Sequence, residues 1–213
     1  ETDYTLSIKL AALGLGFMRR AGINDVVQPI LDRLAAESGE LIRLSVIDSG
    51  ALTWVAVAQG ATTGLRYDPG QEQGVVVHLA SSAGGRAWLA AMHDEEALEH
   101  VSAQGFGRDE GPGKPISIPE LLAILKETRE RGYSVAVSTY ILGMAAMAVT
   151  VRYADTDQIL GCLSIAGPSV RMTDARMAEL APMLQSAAAE LGMAAPASEY
   201  FALPARRAAP KVA

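Results

Sequence analysis

The sequence predicts an α+β domain built on an antiparallel sheet, and three observations carry that reading. Two alternating apolar runs, 41–48 and 51–59, are separated only by Ser49-Gly50, a β-hairpin signal. A second pair of apolar segments, 132–151 and 159–166, flanks the polar turn 154–158. Helical patterns lie before, between and after these runs instead of alternating singly with strands. That order favours antiparallel pairing with helices on the sheet faces over strict β-α-β winding.

Taken in order, residues 4–20 read as helical from about Leu6, with Leu6, Leu10, Leu13 and Phe17 at three- and four-residue spacing, although Gly14 and Gly16 weaken the pattern. Asn24 is placed to cap a second helix, 25–38, with Pro29 near its start and Val26, Val27, Ile30, Leu31 and Leu34 in one stripe. Ser38-Gly39 ends it. An arm that is apolar along one side needs a partner, either its own core or a second subunit or domain. After the hairpin, 64–67 and 74–79 are further strand candidates around the turn "DPGQEQ". In "ASSAGGRAWLAAM" a strand is expected to meet Gly84-Gly85, with a helix following to about Met92. Asp94 is placed to open the short helix "DEEALEHV", and 105–116 is a Gly/Pro-rich loop. Ser117 as cap, Pro119 in the first turn and Gly132 as stop delimit another helix. The segment 132–151 reads as strand, connection, strand, and 159–166 as one more strand. A last helix starts at Thr173 or Asp174 and runs to about Leu191, with Met177, Leu180, Leu184, Ala188 and Leu191 on one face. The Ala/Pro-rich residues 194–213 are expected to be a loose tail.

A chain of 213 residues, half hydrophobic and 20% charged, suits one domain with a sizeable core. The net charge of -6, with no Lys/Arg-rich run, argues against this chain binding nucleic acid by itself. One cysteine rules out an internal disulfide and is too few for a thiolate zinc site. His78, His93 and His100 lack metal-ligand spacing, and the last two are expected to be solvated in an acidic helix. No metal or cofactor is expected. The start "ETDYTLS" has no signal-peptide pattern, which with the single thiol suggests the cytoplasm. The uncharged run 132–151 is long enough to raise a membrane span, but Gly132, Ser134, Ser138, Thr139, Tyr140, Gly143 and Thr150 interrupt it with strand-like alternation, so no membrane is expected.

Several residues invite a chemical role. "SSAGGRA" at 81–87 is either a plain strand-to-helix turn or a helix start whose free amides hold a carboxylate or phosphate; it is not a P-loop. A hydrolase could be built from Ser81 or Ser82 with His78, but there is no G-x-S-x-G elbow and His78 precedes the serines on what reads as the same strand. Cys162 could be a nucleophile, yet Leu160, Leu163 and Ile165 around it would keep the thiol protonated and inert. On 159–166, Cys162, Ser164 and Ala166 face one way and Leu163 and Ile165 the other; on 144–151, Met144, Ala146 and Ala148 oppose Ala145, Met147 and Val149. Small side chains on adjacent strands leave volume, and a buried Ser164 hydroxyl needs a partner. Pocket and packed core both remain open on these grounds.

The order of several segments resembles the effector-binding domain of IclR-type bacterial transcriptional regulators. The matching pieces are "YTLSIKL" at 4–10, "ILDRLAAESGELIRLSVID" at 30–48, "SAGGRAWLA" at 82–90, "TRERGYSV" at 128–135, "GMAAMAVTV" at 143–151 and "GCLSIAGPSVRMT" at 161–173. The resemblance implies a GAF-like fold, a curved antiparallel β-sheet with helices on its faces, whose concave side holds a small-molecule effector, often an organic or aromatic acid. It implies a homodimer or homotetramer, with DNA reached only through a winged helix-turn-helix domain that is not in this chain. Residues 1–22 would then be a linker or arm toward that domain, 23–193 the effector-binding domain and 194–213 the tail. Carried over by motif, the ligand site comprises Val77, Ala83, Gly84, Ala136, Met144, Ala146, Ser164 and Ala166, with Arg86 at a basic position beside it and no catalytic residue. Ala136 falls where an acidic group often sits. Departures from the family pattern are Ser7 for a usual glycine, Ala146 for a frequent cysteine, Ala166 for a second serine and Thr150 for proline; His78 is out of register with a histidine that would fall at Ala80. The site should therefore be less polar than in many relatives, suiting an acid with an apolar or aromatic body. A hydrolase and a ligand-free dimerisation module are the alternatives.

Overall fold

Ser49 and Gly50 both adopt positive φ, 53° and 78°, the geometry a two-residue hairpin needs. They join β1 (Leu41–Asp48) to β2 (Ala51–Gln59). The computed structural model describes residues 26–68, 70, 72–107, 116–198 and 201. The arm 4–20, the Asn24 cap, residues 108–115 of the expected loop and the tail from 202 lie outside the described residues.

The remaining strands are β3 (Ser134–Val137), β4 (Met144–Arg152) and β5 (Ile159–Pro168). All pair antiparallel in the order β2-β1-β5-β4-β3, so β5, last in sequence, is the central strand. The α+β class, antiparallel sheet and flanking helices are as the sequence predicts. Two corrections concern the segment after β2. Neither 64–67 nor 74–79 is a strand; a single bridge, Thr53 with Val76, is all that forms there. Gly64, Gly70 and Gly74 take positive φ, which breaks any extended run. No strand precedes Gly84-Gly85 either: residues 79–82 form a turn, and both glycines lie inside the helix.

The helices are α1 (Gln28–Ser38), α2 (Ala83–Ala90), α3 (Asp94–Gln104), α4 (Ile118–Arg131) and α5 (Asp174–Ala194). Helix α1 begins later than expected, at Gln28 with no side-chain cap, and closes at left-handed Gly39. His93, not Asp94, holds the N-cap position of α3, and Asp94 serves the first turn. The Ser117 cap of α4 is a full capping box with Glu120, and Gly132 stops the helix at φ 80°. Helix α5 runs three residues past Leu191. Ala195–Ala197 then make a 3-10 turn, and Ala195, Ser198 and Phe201 are buried, so the first residues of the stretch expected to be loose pack on the domain.

Each sheet face has its own core. Helices α1 and α5 cover one, burying Leu31, Ile42, Met147, Leu163, Ile165 and Leu184. Helices α2 and α4 cover the other over Leu52, Leu89, Leu121, Leu125, Ala148 and Cys162. Thus Cys162 and Ala148 do oppose Leu163 and Met147, as the alternation predicts. A register shift between Leu44 and Ser45 changes what β2 presents. Arg43 pairs with Val57 but Ser45 pairs with Trp54, so Val55 is the extra residue. The bulge sends Val55 to the α1/α5 core and turns Trp54 to the α2 face.

Candidate functional site

The start of α2 is built by four polar residues. Ser82 caps it, its Oγ accepting from Gly85 N at 3.0 Å and donating to the His78 carbonyl at 2.7 Å. Ser134 Oγ donates to the Ala83 carbonyl at 2.6 Å, and Thr139 Oγ1 to that of Ser81 at 2.7 Å. Arg86 donates from Nε to the Ala80 carbonyl at 2.9 Å and from Nη1 to that of Val135 at 2.8 Å. Burial draws the Arg86 guanidinium down to about 10, so it remains a cation at neutral pH. Arg86 therefore clamps the helix start to β3 and does not line the site. The two glycines divide their roles: Gly85 is pressed on the Leu79 backbone, where no Cβ fits, while Gly84 has room and faces the cavity.

Between this helix start and the sheet lies a cavity of about 40 Å³. Ala83, Gly84, Ala136, Met144, Ala146, Ser164 and Ala166 all line it. Ladder pairing explains the convergence, since Ala136 lies opposite Ala146, Ala146 opposite Ala166, and Ser164 opposite Arg43. Val77 is not on the wall. It is wholly buried in the α2/α4 core, its N–H donating to the Leu52 carbonyl at 2.7 Å. The Ser164 hydroxyl has its partner in the Arg43 carbonyl, at 3.3 Å.

Arg43, Trp54, Tyr140 and Ile141 also line the cavity, and the motif-based list lacks them. The Arg43 guanidinium lies 4.9 Å from the Trp54 ring centroid, and Trp54 meets Tyr140 edge to face at 5.3 Å. Among the described residues no carboxylate is on the wall. The polar groups of its lining residues are the Arg43 cation, the Ser82, Ser164 and Tyr140 hydroxyls, the Trp54 indole N–H, and the first turn of α2, whose dipole favours negative charge.

Behind Arg43, Glu72 accepts from its Nε at 2.8 Å and from the Tyr67 hydroxyl at 2.6 Å. Burial, then the bond to Glu72, push the Tyr67 phenol up to about 12. Between the free-phenol value of 10 and about 12 the unfolded chain loses this proton while the folded one keeps it. The unfolded state then binds fewer protons, so stability falls as pH rises through that window. Urea melts at pH 9 and 11 are expected to show this loss, and Tyr67→Phe is expected to make it smaller; an equal loss in the variant would contradict the assignment.

The other sequence candidates are placed as follows. Cys162 is wholly buried and its thiol is pushed up by desolvation, which makes it an inert core thiol. Because residues 79–82 turn, His78 and Ser81 do come together, Nδ1 to Oγ at 2.9 Å, while Nε2 meets the Gly107 carbonyl at 3.1 Å. The Ser82 hydroxyl is spent on the cap. His100 packs against the Trp88 ring at 4.9 Å and is half-buried, contrary to the solvated placement expected; His93 is exposed. Among the described residues there is no cluster of metal-ligating side chains, and no helix long and apolar enough to cross a membrane.

With this geometry in view, the similarities are specific. The family described as "Bacterial transcriptional regulator IclR C-terminal" matches residues 16–193. The acetate operon repressor of Salmonella typhimurium is 30% identical over 182 residues, and the transcriptional repressor IclR of Escherichia coli 29% over 184. In both cases the match covers 85% of this chain but 65% of the repressor. Among solved structures, the Thermotoga maritima IclR aligns with a TM-score of 0.73 at 23% identity, covering 89% of this chain and 74% of that one. The inducer-binding domain of PobR from Acinetobacter, a double mutant in complex with 3-hydroxybenzoic acid, aligns at 0.66 and 22%, covering 78% and 95%. The repressors lend the hydrolase alternative no support.

Proposed function

This chain belongs to the IclR-type bacterial transcriptional regulators, as their C-terminal effector-binding domain, and from that premise we propose that its cavity takes a small carboxylic acid. The observation that carries the reading is the wall itself: small apolar side chains from β3, β4 and β5, with a buried guanidinium and a helix N-terminus as its charged features and no carboxylate among the described residues. Such a wall favours an anion with a short apolar body. PobR, whose inducer-binding domain shares the fold, was solved with an aromatic acid, which supports the acid class. The cavity of about 40 Å³ is under a third of the roughly 150 Å³ that houses a benzene ring, so as it stands it suits a short aliphatic acid. An aromatic acid would have to part the Trp54–Tyr140 contact.

The domain acts here as a sensor, not a catalyst, in a cytoplasmic homodimer or homotetramer whose DNA contacts are made by another domain. The acid is sensed because it binds one subunit arrangement better than the other, and operator affinity follows that preference. Thermal scans with unbranched monocarboxylates of two to six carbons, each beside its neutral amide, test the ligand class. The short acids are expected to raise the melting temperature and the amides not. Equal shifts from amides, or none from any acid, would sink the proposal.

A further inference from the structure

Arg43 stands where the cavity meets the segment between β2 and α2. Its side chain is 7% exposed and that of Glu72 14%. The pairing is incomplete. Nε donates to Glu72 Oε2 at 2.8 Å, and Nη2 lies 2.6 Å from that same oxygen without the alignment of a hydrogen bond. The other carboxylate oxygen, Oε1, is taken by the Tyr67 hydroxyl. A guanidinium and a carboxylate at their best meet as a parallel fork, two N–H groups on two oxygens. Here both nitrogens crowd one oxygen, so Nη2 is buried in ion-pair contact without an aligned hydrogen bond. An N–H left so is costly, and an anion in the cavity would relieve it.

Glu72 is also on a segment that is able to let go. The described residues of 60–75 lie in no helix or strand, and Leu65 and Val75 are exposed. Gly74 N donates to the Trp54 carbonyl at 2.7 Å, Gln59 Nε2 to the Tyr67 carbonyl at 2.8 Å, and Arg171 Nη1 to the Leu65 carbonyl at 2.6 Å. A buried cation cannot be left alone without a large desolvation penalty. A cavity that empties and fills therefore needs something to stand on Arg43 when no ligand is there.

We infer that Glu72 is a built-in placeholder for the ligand's carboxylate on Arg43, and that binding exchanges one carboxylate for the other and frees the segment around Tyr67 and Glu72. The guanidinium stays paired throughout, against the Trp54 face, while Glu72 moves into water. The inference rests on the acid-binding reading above. It adds which residue receives the acid and which segment reports its arrival.

Titration of the whole chain with acetate, propionate and butyrate at fixed ionic strength, followed by tryptophan fluorescence, tests the exchange in wild type, Glu72→Gln and Arg43→Lys. A placeholder lowers apparent affinity by the fraction of molecules in which it occupies the site, so Glu72→Gln is expected to bind about tenfold more tightly. Arg43→Lys keeps the charge but loses the fork, and is expected to bind at least about tenfold more weakly. Hydrogen exchange across 62–68 and 72–74 is expected to quicken when acid binds wild type, and to be quick already in ligand-free Glu72→Gln. Binding by wild type with no gain in folded Glu72→Gln would overturn the placeholder and leave the acid-binding reading standing. Unchanged exchange in acid-bound wild type would do the same, and it decides the matter alone if Glu72→Gln fails to fold. No binding by either wild type or Glu72→Gln would overturn both.

Discussion

Gly161→Ala is expected to lower stability by about 3 kcal/mol, the upper end of ordinary overpacking, because the backbone it meets has nowhere to go. Gly161 sits on β5, between Val46 of β1 and Val151 of β4. A Cβ there would collide with the Ser45 carbonyl oxygen and carbon, closer than real Cβ atoms come. These are backbone atoms, held by hydrogen bonding on both sides of the central strand, so neither β1 nor β5 is able to yield alone. The conflict is purely steric, because Gly161 does not have positive φ. Gly84→Ala is the matched control: its Cβ would meet the nearest side chains at an ordinary 3.7 Å, and alanine is the better helix former. Urea unfolding of the two variants should separate them clearly, and similar midpoints would contradict the packing described.

Arg86→Met should cost about 2–4 kcal/mol, the balance of two opposed effects. Losing the guanidinium strands the Ala80 and Val135 carbonyls, each about 1–3 kcal/mol when buried without a donor. Against that, a buried cation is removed, and the depressed proton affinity of Arg86 shows that its burial is unfavourable. The stranded carbonyls win because methionine supplies no donor. Arg86→Lys should recover only part, since one ammonium does not reproduce two N–H groups in a fixed fork. The variant should also bind acids less well, because the loosened turn at 80–83 carries the cavity's helix start. A stability equal to wild type would mean that Arg86 is not the clamp.

How legible the site was in the sequence depended on whether local pattern or long-range register decided each residue. The Ser117–Glu120 box and Gly132 are local chemistry, and α4 forms as they predict. The small-residue faces of β4 and β5 follow the strict period of two, but alternation alone leaves pocket and packed core open, and it is the resemblance to the IclR-type domains that puts Met144, Ala146, Ser164 and Ala166 on one wall. Arg43 is different. In "LIRLSVID" it occupies an alternate polar position, which ordinarily faces water, and only the burial of both faces of β1 puts it inside. Trp54 reaches the cavity through the bulge at Val55, which no local pattern announces. Val77 fails for the opposite reason: it lies in a valine run that resembles a strand, but the positive φ of Gly74 and the bond to Leu52 fold it into the core. Gly84 and Gly85 are indistinguishable as letters, and only the approach of Leu79 tells which one packing requires.

The central claim, that the acid lies between the start of α2 and the small-residue face of β4 and β5, is tested most directly at Ser164. Leucine there replaces one oxygen by three carbons on the wall of a cavity of about 40 Å³. Calorimetric titration of wild type and Ser164→Leu with the acid that most raises the melting temperature is the measurement. The account predicts binding heat for wild type, none for the variant, and a cooperative melt for both. Unchanged affinity in Ser164→Leu would contradict it.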